Sequence, residues 1–145
     1  MVLCRHNHVI SPMMQWTPAM SVDVMLIDDQ HKEFIRLINR LEALPNVSDP
    51  LKHLGIVLIE LNGYVQYHLS TEEELFVLFN YPGAAPHIQD HQRMRDELLA
   101  MIDRHINHGE NVAAALMHFM ITWLSGHIQG EDKKYTQCFH EHGLR

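Results

Sequence analysis

The chain has 145 residues, of which 46% are hydrophobic and 20% charged, the size and make-up of one globular domain with a substantial core. A formal net charge of −7 argues against a nucleic-acid partner, which requires a clustered basic surface. No apolar run approaches the roughly 20 residues that cross a bilayer, so no membrane association is expected.

Residues 1–22 read as an extended arm, broken by Pro12 and Pro18, with Trp16 anchoring it across the domain that follows. Arg5, His6, Asn7 and His8 stand where a secretory signal needs its apolar stretch, so the expected location is cytoplasmic. Cys4 and Cys138 lie at opposite ends and read as inert thiols in a reducing compartment. His6 and His8 offer only a weak second metal site.

The domain itself, residues 23–142, is predicted to be all-α. A first helix is expected from about Val24 to Leu44, ahead of Pro45 and Asn46, with Asp23 as its N-cap. Its inward positions are Ile27, His31, Phe34, Ile38 and Leu41, an alternating 4-3 spacing. The second opens on Asp49 as N-cap and Pro50 at the first helical position. It turns Leu54, Leu58 (or Val57), Leu61, Val65 (or Tyr64), His68, Glu72, Leu75 and Phe79 inward and stops at Tyr81, Pro82 and Gly83. The third starts near Ala84 to Pro86 and carries His87, His91, Met94, Leu98, Ile102 (or Met101) and Ile106, before Gly109 at the C-terminal cap. The fourth begins near Asn111, carries Leu116, Phe119 (or Met120), Trp123 and His127, and is expected to continue past Gly130 toward Tyr135. Four long helices with short links favour an up-down-up-down bundle.

Thirteen histidines are far more than a chain of this length needs, but their placement matters more than their number. His31, His68, His87, His91 and His127, with Glu72, all occupy seam positions where Leu or Ile would otherwise sit. A buried polar group without a partner costs several kcal/mol, and metal ions are the partners that would offset such a load. Pairs at i,i+4, such as His68 with Glu72 and His87 with His91, lie on one helix face about a turn apart. Asp132 follows His127 by five residues, off that face in a straight helix. Gly130 is expected to let the helix loosen into a wider turn that brings the carboxylate inward. Imidazole with carboxylate suits iron, zinc, copper or manganese and excludes an iron–sulfur cluster. Seven ligands are too many for one ion and point to two.

These elements resemble the hemerythrins, especially the bacterial ones, which show His, HxxxE, HxxxH and HxxxxD in that order, one element per helix. Here they are His31, His68 to Glu72, His87 to His91, and His127 to Asp132, and the flanking Trp16, Ser21–Val22, Ile27–Asp28, Gln30, Lys32, Glu73, Tyr81–Pro82 and Trp123–Leu124 match too. The likeness runs from about Trp16 to His142. It implies two irons with a bridging oxo or hydroxo group: one iron on His87, His91 and His127, the other on His31 and His68, with Glu72 and Asp132 bridging. Such a site leaves one coordination position open on the iron with two histidines, where dioxygen (or nitric oxide or peroxide) would bind. By position, Phe34, Leu69, Trp123, Leu124 and Ile128 would wall the oxygen pocket. Gln30, orienting His68, and Tyr135 would support the ligands from behind.

The resemblance implies a reversible dioxygen carrier or store and no enzyme. The alternative is an oxygen- or redox-sensing domain covalently linked to a signalling domain absent from this chain. A di-iron oxygenase fits less well, because those sites are rich in carboxylates. Two positions depart from the family. Leu69 stands where Phe is common, which is expected to make the site leakier, and Asp23 stands where Gly is frequent.

Overall fold

Five α-helices make up most of the computed structural model, which describes residues 14–145: α1 Met25–Asn39, α2 Pro50–Leu78, α3 Ala84–His108, α4 Ala113–Gly130 and α5 Thr136–Glu141. The described residues contain no strand. Cys4, His6 and His8 lie outside the described residues.

Each helix forms where its seam predicts, with local corrections at the ends. The α2 start is as expected: Asp49 Oδ1 accepts from the Lys52 N–H at 3.2 Å, with Pro50 at the first position. Gly109 closes α3 in the left-handed region at φ 66°, and the N–H groups of Gly109 and Glu110 return to carbonyls of the last turns. The first helix, however, ends at Asn39 rather than Leu44. From Arg40 to Leu44 each N–H bonds three residues back, at 3.0–3.3 Å, so the chain tightens ahead of Pro45. Asp23 is not the N-cap either. It adopts φ 56° and stays exposed, while Val24 takes the cap position without a side-chain bond. Asp28 secures the entry instead, accepting from Ser21 Oγ at 2.5 Å and from the Val22 N–H at 2.8 Å.

The four long helices form a bundle in which α1 and α3 each pack on both α2 and α4. The placement of the polar seam residues shows that the helices alternate in direction. They fall in the first halves of α1 and α3 and the second halves of α2 and α4, yet all meet at one end. The other end is apolar, with Leu41, Leu54, Leu58, Leu98 and Leu116 almost completely buried. Phe76, not singled out by the seam pattern, is also core, whereas Ile106 is 57% exposed.

The fourth helix does not continue toward Tyr135. It stops at Gly130, and Glu131 caps it with an N–H bond to the His127 carbonyl at 2.7 Å. A separate 3-10 turn, Asp132–Tyr135, then leads into α5. Three bonds hold this C-terminal segment against residues 19–23: Lys133 Nζ to the Ala19 carbonyl (2.6 Å), Thr136 Oγ1 to the Val22 carbonyl (2.8 Å) and His140 Nε2 to the Asp23 carbonyl (2.6 Å). Within the arm, Met14 is buried and Asn39 bonds both its N–H and its carbonyl, while Trp16 packs against the core with Lys32 Nζ 4.7 Å from its ring centroid.

Candidate metal centre

Six side chains from the helix seams and Asp132 converge at the polar end of the bundle, all nearly or completely buried: His31, His68, Glu72, His87, His91, His127 and Asp132. Their ligand atoms fall into two overlapping groups. Glu72, His87, His91, His127 and Asp132 form one, and His31, His68, Glu72 and Asp132 the other, with the ligand atoms of each within 4.8 Å of one another. Both carboxylates belong to both groups. Asp132 Oδ1 lies 3.1 Å from His87 Nε2 and 2.8 Å from His127 Nε2, while its Oδ2 is 3.1 Å from His31 Nε2. Glu72 Oε2 is 3.0 Å from His91 Nε2, and Oε1 is 3.7 Å from His68 Nε2.

Asp132 reaches this point through a break, not the expected widening. Glu131 departs from ideal helical geometry (φ −95°, ψ −47°) and the 3-10 turn starts on Asp132. The register of α4 therefore no longer dictates where the Asp132 side chain points. Gly130 is exposed, has no positive φ, and a Cβ there would meet nothing within 4 Å, so no steric demand for glycine exists.

The outer edges of the rings decide what the inner edges can do. His91 Nδ1 donates to Glu73 Oε1 at 2.9 Å, His127 Nδ1 to Asp90 Oδ2 at 2.6 Å, and His68 Nδ1 to Gln30 Oε1 at 2.7 Å. A neutral imidazole that donates through Nδ1 presents a bare lone pair at Nε2. The Nε2 atoms of His91 and His127 face each other at 3.2 Å, and those of His87 and His127 at 3.0 Å. His31 Nε2, His68 Nε2, Glu72 Oε2 and both Asp132 oxygens are buried without an aligned hydrogen bond. They lie near other polar atoms but aim at common points between them. Lone pairs and carboxylates converging this way repel unless cations stand among them, so the donor set fits a pair of metal ions.

Titration behaviour reports the same crowding. Burial alone would push His87 down, but its contacts with Asp132 and Glu72 lift it to about 9. Burial lowers His68 to about 4, against the pull of Glu72. Asp132 is held well below the usual carboxylate range because His127, His31 and His87 outweigh its burial. Tyr135, fully buried, is raised well above an ordinary tyrosine by burial and the nearby carboxylates, and donates to Glu72 Oε1 at 2.5 Å.

Of the supporting residues, Gln30 accepts from His68 and Tyr135 donates to Glu72. Asp90 and Glu73 were recognisable only as neighbours of ligands: adjacency along a helix does not reveal which histidine of another helix a side chain will meet. Phe34 packs edge-on against His68 (ring centroids 5.1 Å apart), and Leu69, Leu124 and Ile128 are buried. Trp123 sits on the other side, stacked on His127 at 4.1 Å and lining a surface cleft with Asp90, Arg93 and Lys134.

The model of the hemerythrin HHE cation-binding domain matches residues 22–138. The chain belongs to the hemerythrin family. A bacteriohemerythrin of Stenotrophomonas maltophilia is 28% identical over 88% of this chain and 82% of its own length, and a hemerythrin-like protein of Naegleria gruberi is 29% identical over 83% and 88%. Among solved structures, a wild-type hemerythrin superposes with a TM-score of 0.81 at 27% identity, covering 87% of this chain and 97% of that one. This hemerythrin-family chain has no helix among the described residues long and apolar enough to cross a membrane.

Proposed function

We propose that this hemerythrin-family chain holds two iron ions, with an oxo or hydroxo bridge, and binds dioxygen reversibly as a carrier or store rather than as an enzyme. The observation that carries this reading is the pair of overlapping ligand groups that share Glu72 and Asp132. In it, His87, His91 and His127 hold one ion, His31 and His68 the other, and the two carboxylates serve both. Held there, a reduced iron pair would supply the electrons and the binding place for dioxygen.

The protein's own part is to fix and to shield. Glu73, Asp90 and Gln30 hold three imidazoles in the tautomer that presents Nε2 inward. Tyr135 donates to Glu72, and its raised titration keeps the phenol protonated across the working pH range. Phe34, Leu69, Leu124 and Ile128, buried in the same core, would keep bulk water away from the bound metals.

The test is metal analysis of protein produced with ample iron, together with visible spectra through cycles of reduction, oxygen and vacuum. Two irons per chain and a reversible spectral change are expected. One ion per chain, zinc in place of iron, or an irreversible change overturns the reading.

A further inference from the structure

The five imidazoles are not held alike on their outer edges. His91 and His127 donate to carboxylates, Glu73 and Asp90, whereas His68 donates to the neutral amide of Gln30. The Nδ1 atoms of His31 and His87 are buried with no hydrogen-bond partner. Both outer anions therefore stand behind the group of three imidazoles and neither behind the His31–His68 pair. A carboxylate that accepts from Nδ1–H pushes electron density toward Nε2 and makes it a stronger ligand than an amide-bonded ring.

Resting on the two-ion reading above, we infer that Asp90 and Glu73 are positioning residues that make the two halves of the centre unequal. The half built on His87, His91 and His127 takes its ion first and stabilises the higher oxidation state, while the His31–His68 half exchanges its ion more readily. The two anions contribute differently. Glu73 is gripped by the guanidinium of Arg95 at 2.8 and 3.2 Å, and the Arg95 side chain is only 14% exposed. Its charge is largely neutralised. Asp90 meets Arg93 only at 3.7 Å, with that arginine 70% exposed, so solvent weakens the pairing. Asp90 thus carries the larger effect. The stacking of Trp123 on His127 (interplanar angle 15°) holds that ring in place, so replacing Asp90 by the isosteric amide removes charge while leaving the ring where it is.

The experiment titrates metal-free protein with cobalt(II) alone, followed by visible absorption and calorimetry. Wild type should take up two ions in two resolved steps. Asp90→Asn should weaken the first step about 10-fold or more and leave the second unchanged. Glu73→Gln should weaken the first step less, and Gln30→Glu should strengthen the second. In iron-loaded protein, Asp90→Asn should raise the midpoint potential and Gln30→Glu lower it, whereas a mere loosening of structure would move both the same way. Equal effects of Asp90→Asn on both steps, or potentials shifted in one direction by both variants, overturn the inference while leaving the two-ion reading intact. A wild type that takes up a single ion overturns that reading and the inference with it.

Discussion

Tyr135→Phe isolates a bond whose strength should depend on what fills the centre. The Tyr135 hydroxyl donates to Glu72 Oε1 at 2.5 Å, and both side chains are completely buried, so no water replaces the lost donor. A hydrogen bond to a charged group contributes about 1.5–3 kcal/mol, and Phe keeps the ring that stacks on Phe139 at 4.3 Å. Metal-free protein should therefore lose about 2 kcal/mol. Once cations hold the Glu72 carboxylate, the phenol is one partner among several, and the loss should fall to about 1 kcal/mol. For a chain near this size these losses lower Tm by roughly 4–8 °C and 2–4 °C respectively. Urea unfolding of both forms, followed by far-UV circular dichroism, reads the two losses directly. Equal losses with and without metal, or a metal-free loss under about 0.5 kcal/mol, would refute the argument that Glu72 changes partners.

Removing the metals should lower Tm, since binding energy is folding energy; about 4 kcal/mol is at stake when free metal exceeds Kd a thousandfold. Identical melting of the two forms would contradict it. The metal-free protein should also be most stable near pH 6.5. His87, raised to about 9, stabilises the fold below its ordinary value and loses that contribution as pH climbs through 9, whereas His68, lowered to about 4, and the depressed Asp132 lose theirs as pH falls; a Tm that rises steadily from pH 6 to 9 would count against this. Leu69→Phe should slow oxidation of the reduced, iron-loaded protein in air, at a cost of roughly 1–3 kcal/mol because Leu69 is already fully buried. An unchanged rate in stopped-flow absorption would make Leu69 ordinary core. Asp23→Gly should stabilise the chain by about 0.5 kcal/mol, because φ 56° strains a residue with a side chain; a loss of stability in chemical denaturation would show that the bonds around Ser21 matter more.

The seven converging residues were legible because four sit in two i,i+4 pairs, His68 with Glu72 and His87 with His91, and all but Asp132 replace aliphatic residues at seam positions, a pattern that helix geometry turns directly into a shared interior. The bundle was legible for the same reason. What escaped lies where helical periodicity stops. The end of α1 depends on i→i−3 bonds ahead of Pro45, and the entry of Asp132 depends on the break at Glu131, neither of which leaves a periodic mark. Asp23 was read as a cap because its residue type suits one, yet the chain makes a left-handed turn there, and Asp28 ties down Ser21 and Val22 ahead of the helix instead. α5 was too short to register by periodicity, although Phe139 is completely buried beneath Tyr135. Asp90 and Glu73 escaped because their partners are set by packing between helices.

The first and last residues of the centre lie far apart in the chain, and this has a consequence for assembly. His31 on α1 meets Asp132, 3.1 Å away, only after the segment beyond α4 has docked. That docking is held by bonds from Lys133, Thr136 and His140 to the carbonyls of Ala19, Val22 and Asp23. Contacts of such long sequence separation form late, after the loop-closure entropy has been met by more local packing. α2 and α3, joined by the short link 79–83, can bring Glu72, His87 and His91 together earlier. On the two-ion reading, an ion present during folding would meet part of the three-imidazole group first. The His31 side is completed only when the two ends of the chain close over it.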